Sequence, residues 1–280
     1  MILARRQVGL TAAEKAKPYA DLFYRPLAPI ADDIVRALRS GPIDPRDALV
    51  FEHKNDLLNP GYHTCETGYC FMPDGSGYAA ALTRMPGVTI DMLVWWFWWH
   101  ALEDLRYKIW YPGAHVAVRV KDPDRLRNQY LSPRERFYHN PHYPVEDVGI
   151  GMETLIIEFM APEDFGFDAS RLAKEGVAAF CTRVGSFVKP AMHTDMCHVV
   201  RAIPDGVEMR SRFWIGRNIT VKLLPERSSL NRLINTRAMR RLFIPGNAPE
   251  QMANHCAQEY ANLTAILPEL YREYGADASS

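Results

Sequence analysis

The sequence predicts an α+β fold in which a long C-terminal helix lies across a curved antiparallel sheet. Two observations carry this prediction: apolar segments bounded by turn residues follow one another in the second half of the chain, and a long helical pattern comes after them. A third observation is that no internal repeat, low-complexity tract or linker divides the 280 residues, which favours one domain with extensions. A helix laid across a curved sheet encloses space, so the fold class also predicts a pocket.

The N-terminal part of the chain is predicted to be helical. Short helical patterns cover Ala12–Phe23 and Ala31–Leu38, and a Ser-Gly-Pro sequence ends the second of them. We therefore expect residues 1–60 to form an N-terminal helical extension and residues 61–280 to form the main domain.

The next segment is predicted to be a hairpin followed by a helix. Gly68–Met72 and Tyr78–Arg84 flank a turn whose glycines can supply positive φ angles. Thr89 can cap the helix predicted over Met92–Leu105, and Asp91 lies in the first turn of that helix.

The back of the sheet and the last helix are predicted from the second half of the chain. Four strand candidates are rich in apolar residues and bounded by Gly, Pro or acidic turns: Met152–Met160, Val177–Val184, Met196–Ile203 and Val207–Ile215. Asn247 can cap the final helix, and Pro249 suits its first position. Glu250–Tyr274 then follows, with Pro268 as the residue expected to kink it.

Composition argues against several classes of function. The 33 Lys plus Arg residues balance the 33 Asp plus Glu residues, which removes the electrostatic argument for a nucleic-acid partner. The densest apolar run, Met92–Trp99, is too short to cross a membrane, and no signal-peptide pattern follows the N-terminal arginines. We therefore expect a cytoplasmic protein without a membrane partner, whose five cysteines are reduced and mostly buried. Whether the chain forms a homo-oligomer stays open.

His255 and Glu259 are candidate metal ligands. Their i, i+4 spacing places both side chains on one face of the final helix, about 6 Å apart. An imidazole beside a carboxylate suits Zn²⁺, with Mn²⁺ or Fe²⁺ as competitors. A hydrogen-bonded pair on the helix surface is the alternative, and the spacing alone fits both.

Aromatic and titratable residues elsewhere give further candidates. The four tryptophans of Trp95–Trp99 cannot share one helix face, so they either line a pocket or fill a core. His115 enters a β-like stretch, and Glu146 lies in a predicted loop, where an acid is normally solvated. His193 and His198 are five residues apart in a strand, so at most one of them is expected to point inward.

In their order along the chain, four segments resemble the 2,4-diacetylphloroglucinol hydrolase family, zinc-dependent enzymes that hydrolyse a carbon–carbon bond between an aromatic ring and an acyl group. The segments are WWFWWH, RYKIWYPGAH, CHVVRAIPDGVEMRSRFWIG and HCAQE. The resemblance implies a helix-grip fold, similar to Bet v 1 and START domains, with residues 61–280 as the catalytic domain. It also implies a Zn²⁺ cofactor and a small aromatic ketone as the substrate.

The resemblance implies a ligand set for the metal. His115, His255 and Glu259 match zinc ligands, and Glu146 matches a further carboxylate that serves as a labile ligand or as the catalytic base. Glu153 is the alternative to Glu146 if the alignment is shifted.

The resemblance also implies residues that act on the substrate. His198 is preferred over His193 as the catalytic histidine, and Tyr107 matches a catalytic and substrate-binding tyrosine. Val118 stands where the family is expected to have an amide, and Trp214 where it is expected to have a tyrosine. Because both positions are expected to contact ring hydroxyls, we expect a substrate that is less hydroxylated or bulkier than diacetylphloroglucinol, such as a phloretin-like ketone.

Three functional hypotheses follow. The leading one is a zinc-dependent hydrolase of the carbon–carbon bond in an acylated phenol or a related β-diketone. The alternative is a non-catalytic binding protein, since a fold of this kind can simply enclose an apolar aromatic ligand. A third is a protein whose exposed aromatic residues bind a partner. Convergence of His115 with His255 and Glu259 favours the first over the second.

Overall fold

The protein combines one eight-stranded antiparallel sheet with a long C-terminal helix, as seen in a computed structural model that describes residues 9–175, 177–222, 225 and 228–275. In chain order the described strands are β1 (Gly68–Phe71), β2 (Gly77–Pro86), β3 (His115–Val120), β4 (His142–Asp147), β5 (Met152–Met160), β6 (Ala178–Ser186), β7 (Ala191–Ile203) and β8 (Gly206–Val221). Across the sheet they are ordered β1-β2-β8-β7-β6-β5-β4-β3. The predicted α+β class is therefore confirmed.

The helices differ greatly in length. In chain order the described α-helices are α1 (Ala12–Lys15), α2 (Asp32–Arg39), α3 (Ile90–Trp99), α4 (Asp104–Lys108), α5 (Pro123–Arg127), α6 (Pro133–Phe137), α7 (Ala169–Glu175), α8 (Ser229–Ile234), α9 (Arg237–Phe243) and α10 (Ala248–Tyr274). Short 3₁₀ segments cover Ala20–Tyr24, Pro45–Asp47, Phe51–Leu58 and His100–Leu102.

Two of the predicted helices are shorter than expected. α1 ends at Lys15, because Pro18 disfavours helical geometry in the residue before it. α3 ends at Trp99, and the extended backbone of Glu103, with φ −154° and ψ 136°, separates it from α4. Residues 1–8 of the predicted N-terminal extension lie outside the described residues.

The predicted strands are confirmed, and three of them, in β2, β7 and β8, are parts of longer strands. β5 has the predicted bounds, whereas β7 begins at Ala191 and β8 continues to Val221. The loop predicted around Glu146 is wrong, because this residue lies in β4, which is hydrogen-bonded between β3 and β5. Pro144 hid this strand, since proline lacks the amide proton that an interior strand normally donates.

The sheet has two differently covered faces. Alternate residues of β8 belong to the large buried cluster on the inner face, which α10 covers: Val207, Met209, Phe213 and Ile215. Trp214, between them, belongs to a second cluster on the outer face, with Leu49 and Leu57 from the N-terminal segment. This alternation is the two-residue period of a β-strand and decides which side chains can reach a site beneath α10.

α10 closes the inner face. Pro249 occupies its first turn as predicted, and the helix continues through Pro268. Asn247 precedes the helix but makes no side-chain capping hydrogen bond. The side chain of Asn262 donates to the backbone carbonyl of Trp110 at 2.8 Å, which ties the helix to the loop before β3.

Two global expectations can be compared with the structure. All five cysteines are free and buried, in agreement with the sequence. Over the part of the chain that the structure describes, no helix has both the length and the apolarity needed to cross a lipid bilayer.

Candidate functional site

A cavity lies between the inner face of the sheet and α10, and its walls are mostly apolar. Phe97 from α3, Phe159 from β5 and Phe213 from β8 are among the side chains that line it. Buried histidines and carboxylates line the same cavity, and they gather where the first residue of β3 faces α10. An apolar cavity with a few convergent polar groups is the usual form of a small-molecule site.

Three of these polar groups form a candidate metal centre. His115, His255 and Glu259 each offer a ligand atom, and these atoms lie within 4.8 Å of one another. The Nε2 atoms of the two histidines are 3.4 Å apart, and each is 3.7 Å from Oε2 of Glu259. All three residues are buried, and His115 has no exposed surface. The helical pair and the strand histidine that the sequence singled out therefore converge in space.

Glu146 stands beside this group. It pairs with His115 in the β3–β4 register, and its Oε2 atom lies 3.3 Å from Nε2 of His115. The Tyr107 hydroxyl donates a hydrogen bond to the same oxygen. Glu153 is the register partner of Glu146 on β5 and also lines the cavity. The contact with His115 makes Glu146 the better candidate for a fourth ligand.

The protonation of the histidines leaves electron pairs facing the carboxylates. Nδ1 of His115 lies 3.2 Å from the backbone carbonyl of Tyr107, to which it donates, so Nε2 carries the lone pair. His255 likewise hydrogen-bonds the backbone carbonyl of Asp147 and turns Nε2 toward Glu259. Acceptor atoms thus face one another, an arrangement that a bound cation satisfies.

Burial shifts the pKa values in the direction that disfavours charge. It lowers the pKa of His255 to about 4 and that of His115 well below its ordinary value. It raises the pKa of Glu146 to about 7 and that of Glu259 well above its ordinary value. A divalent cation requires neutral imidazoles and ionised carboxylates, so the histidines already have the form that ligation needs.

The spacing of the group fits a tetrahedral ion. Ligand atoms about 2.0–2.2 Å from a tetrahedral Zn²⁺ stand about 3.3–3.6 Å from one another. The separations among the ligand atoms of His115, His255 and Glu259 are 3.4, 3.7 and 3.7 Å, close to this range. Nitrogen and carboxylate oxygen are also the donor types found in catalytic zinc sites.

The segment from Tyr107 in α4 to Gly113 before β3 contacts and orients these side chains. The Tyr107 ring stacks on His115 with its centroid 4.1 Å away and an interplanar angle of 1°. The indole nitrogen of Trp110 donates to the backbone carbonyl of Glu259 at 3.1 Å. Gly113 then turns the chain into β3 with a φ of 95°, a conformation that favours glycine. One short segment therefore orients residues from β3, β4 and α10.

His198 lies in the cavity wall with both ring nitrogens engaged. Nδ1 is 2.7 Å from the Ser211 hydroxyl, and Nε2 is 3.2 Å from the Tyr260 hydroxyl. Burial lowers the pKa of His198 to about 3. Tyr260 also lines the cavity.

The expectation that at most one of His193 and His198 points inward is wrong, because both line the cavity. β7 has a register shift between Met192 and Thr194, where its pairing with β8 jumps from Thr220 to Ile215. A bulge of this kind breaks the two-residue alternation and turns His193 toward the inside.

The assignment of Trp214 to substrate binding is also wrong. Its side chain lies on the outer face, where Nε1 donates to the backbone carbonyl of Leu49 at 2.8 Å. Phe213 and Ile215, its neighbours on β8, line the cavity instead. Val118 does line the cavity, as expected from the sequence.

The tryptophan-rich helix forms core more than pocket. Trp95, Trp96 and Trp99 are buried in the inner cluster, and Phe97 is the α3 residue that lines the cavity. Sequence reasoning assigned no role to Tyr260 or His142, which also line the cavity. For Tyr260 a signal existed, since it directly follows Glu259 on the same helix.

Fold and site together define a protein that encloses a small apolar molecule beside a buried group able to bind a divalent metal ion. Comparison with known proteins specifies this class further. The family model described as "DAPG hydrolase PhiG domain" matches residues 49–272. The chain belongs to this DAPG hydrolase family and is an enzyme, a hydrolase.

Two characterised relatives match along nearly the whole chain. Phloretin hydrolase from Eubacterium ramulus is 34% identical over 95% of this chain and 94% of its own length. The 2,4-diacetylphloroglucinol hydrolase from Pseudomonas protegens is 32% identical over 96% of this chain and 88% of its own length.

Similarity to solved structures is weak. Protein CV1439 from Chromobacterium violaceum matches with a TM-score of 0.36 at 10% identity, over 70% of this chain and 99% of that chain. Norcoclaurine synthase from Thalictrum flavum matches with a TM-score of 0.34 at 8% identity, over 76% of this chain and 98% of that chain. Scores this low carry no argument about function.

Proposed function

We propose that the protein is a Zn²⁺-dependent hydrolase that cleaves the carbon–carbon bond between an acyl group and a phenolic ring. Its substrate is a phloretin-like ketone, another acylphloroglucinol or a related β-diketone. The observation that carries this proposal is the convergence of His115, His255 and Glu259, with Glu146 beside them, at one wall of an apolar cavity. The identity with phloretin hydrolase supports the substrate class, and the sheet with α10 across it supports the helix-grip type.

The substrate class explains how such a bond can break. A ring hydroxyl next to the acyl group lets the ring tautomerise to a β-diketone. Water then adds to the acyl carbonyl, the ring carbon leaves as an enolate, and a carboxylic acid and the free phenol result. When bound, Zn²⁺ supplies a Lewis acid for oxygen and makes hydroxide available at neutral pH.

Glu146 is the residue proposed to take the proton from the attacking water. Its Oε2 atom faces His115 and accepts a hydrogen bond from the Tyr107 hydroxyl, which orients the carboxylate. His255 and Glu259 hold the metal from α10. In this proposal the Glu146 carboxylate transfers a proton, whereas the Glu259 carboxylate stays bound to the metal.

His198 and Tyr260 are proposed to return a proton to the leaving ring carbon. The hydroxyl of Tyr260 contacts Nε2 of His198, and Nδ1 of His198 contacts the Ser211 hydroxyl. A proton can therefore move between Tyr260 and Ser211 through the imidazole. A neutral imidazole between two hydroxyls can both accept and donate.

The walls of the cavity support a bulkier or less hydroxylated substrate than diacetylphloroglucinol. Val118 and Phe213 both line the cavity and offer no hydrogen bond. Each lost buried hydrogen bond is worth about 0.5–1.5 kcal/mol, and an aromatic side chain offers apolar contact in exchange. We expect kcat/KM for phloretin to exceed that for diacetylphloroglucinol, and a tenfold preference for the latter would contradict this expectation.

A metal analysis combined with a product assay tests the proposal. The purified protein should contain or take up one Zn²⁺ per chain and should convert phloretin to a phenol and a carboxylic acid. His255→Ala and Glu259→Gln should lose both properties, because each removes one of few ligands. Glu269→Gln is the matched control on α10, since Glu269 pairs with Arg25 on the surface.

Two results would contradict the proposal. One is a folded protein that holds no divalent metal and gains none on titration. The other is full zinc occupancy with normal turnover in either ligand variant. Binding of phloretin without turnover by the zinc-loaded protein would support the non-catalytic binding protein instead.

A further inference from the structure

A second polar region lies in the cavity, away from the candidate metal centre. His142 and Glu146 are four residues apart on β4, and both line the cavity. Four residues of a strand span about 13 Å, and side chains four apart share a face. The side chain between them on this face is Pro144, which offers no hydrogen bond.

His142 is a buried imidazole with an unused nitrogen. Its side chain is 3% exposed, and among the described residues its Nε2 has no hydrogen-bond partner. The ring packs against Phe159 with centroids 5.0 Å apart. Burial lowers its pKa to about 3, so it stays neutral and offers one donor and one acceptor. A buried polar atom left without a partner is costly, and a ligand that pairs with it removes that cost.

His100 adds a hydrogen-bond acceptor to the cavity wall on the side of the candidate metal centre. Its Nδ1 lies 2.7 Å from the backbone carbonyl of Trp96, to which it donates, so Nε2 carries a free lone pair. Its ring stacks on that of Tyr107 with centroids 5.8 Å apart, and Tyr107 in turn stacks on His115. The region away from the metal centre therefore rests on His142.

Apolar side chains surround His142. Val118, Ile157 and Phe159 line the cavity and make no side-chain hydrogen bonds. A hydroxyl group of a bound molecule that reaches this part of the cavity would therefore find its partner at His142. The neutral ring of His142 can serve as donor or as acceptor.

We propose that His142 forms a recognition site for a phenolic hydroxyl at the end of the substrate remote from the bond that is cleaved. The inference rests on the proposed function, since it takes the metal centre as the place of cleavage. The separation along β4 favours an aryl ketone with a hydroxylated second ring beyond a short chain. A single ring with acetyl groups is too short to reach both ends.

Two substrates that differ only in one hydroxyl group test this site. Phloretin carries a hydroxyl on the ring beyond its propanoyl chain, and the deoxy analogue lacks only that hydroxyl. The zinc-loaded wild type should prefer phloretin by at least tenfold in kcat/KM, because the analogue leaves the His142 imidazole unpaired. His142→Phe should reduce this preference to less than threefold, and His142→Gln, which keeps a donor and an acceptor, should retain more of it.

His63→Phe is the matched control. The Nε2 of His63 is also buried without a described partner, but the residue lies outside the cavity lining, beside Arg210 and Arg212. This variant should keep the wild-type preference. Circular dichroism of each variant shows whether it is folded, and the wild-type comparison does not depend on any variant.

The inference and the proposed function fail in different ways. Equal kcat/KM values for the two ketones in the wild type, or an unchanged preference in His142→Phe, would overturn the recognition site while cleavage stands. If the wild type cleaves neither ketone, the proposed function fails. The ratio of the two dissociation constants then tests the site directly, and equal constants would overturn it.

Discussion

Replacing Glu66 with Gln should destabilise the protein by about 3–5 kcal/mol, the cost of leaving buried charges without their partner. Glu66 lies between two arginines of β8 whose side chains have no exposed surface, Arg210 and Arg212. Its two oxygens receive Nη2 of Arg210 at 2.5 Å and Nη2 of Arg212 at 2.6 Å. Ser211, between the arginines, holds His198 on the inner face, so this outer-face cluster also positions the cavity wall.

The contacts between Glu66 and the two arginines also make the stability of the fold depend on pH. Burial raises the pKa of Glu66, but its hydrogen bonds and the arginine charges outweigh burial and lower it from 4.5 to about 2. This difference corresponds to about 3 kcal/mol, in agreement with the first figure. A depressed carboxyl pKa stabilises the fold above pH 4.5, and this contribution disappears as the pH falls from 4.5 toward 2.

Urea unfolding followed by tryptophan fluorescence measures both effects. At pH 7 the Glu66→Gln variant should unfold at a lower midpoint, and the gap to wild type should narrow as the pH falls from 5 to 3. Glu52→Gln, at an exposed carboxylate, is the control and should stay within about 0.5 kcal/mol of wild type. A loss below about 1 kcal/mol for Glu66→Gln, or a gap that does not change with pH, would refute the reasoning.

Three further predictions concern the cavity and use kcat/KM for phloretin. Glu146→Gln should lower kcat/KM at least a hundredfold by removing the proposed base, whereas Glu153→Gln should change kcat/KM less than threefold. The reverse result would assign the role of base to Glu153. Trp214→Phe should leave kcat/KM unchanged while losing about 1 kcal/mol of stability with the Leu49 hydrogen bond, and a tenfold fall would contradict the outer-face position. Val118→Asn should shift the kcat/KM ratio toward diacetylphloroglucinol, and an unchanged ratio would show that this position does not sense ring hydroxyls.

Patterns among neighbouring residues predicted the long helices and strands and the two candidate ligands on α10. The final helix and the last strands follow from patterns that need only neighbouring residues, and the i, i+4 spacing alone placed His255 beside Glu259. The contact with His115 needed the resemblance to a family, because no local pattern relates β3 to α10. Pairing across 140 positions is a property of the folded sheet and helix.

The wrong predictions concern strand positions at which a single residue decides the register or the face that a side chain takes. In β8 the apolar run continues through Phe213, Trp214 and Ile215, so hydrophobicity could not tell which face each residue takes. The bulge in β7 turned His193 inward, and a bulge leaves no reliable sign in a single sequence. Pro144 made the strand that carries Glu146 look like a loop.

The pKa shifts at the candidate metal centre and the apolar character of the cavity have one cause, the exclusion of water. Removing water makes the carboxylates of Glu146 and Glu259 costly as anions and keeps the histidines neutral, so the group is stable in its ionised form only with a cation. The same exclusion of water strengthens every electrostatic contact at the reacting carbonyl. A cation bound only to the folded state also stabilises that state, since the unfolded chain offers no such group. A bound divalent ion would compensate for the cost of this arrangement, which is unfavourable alone.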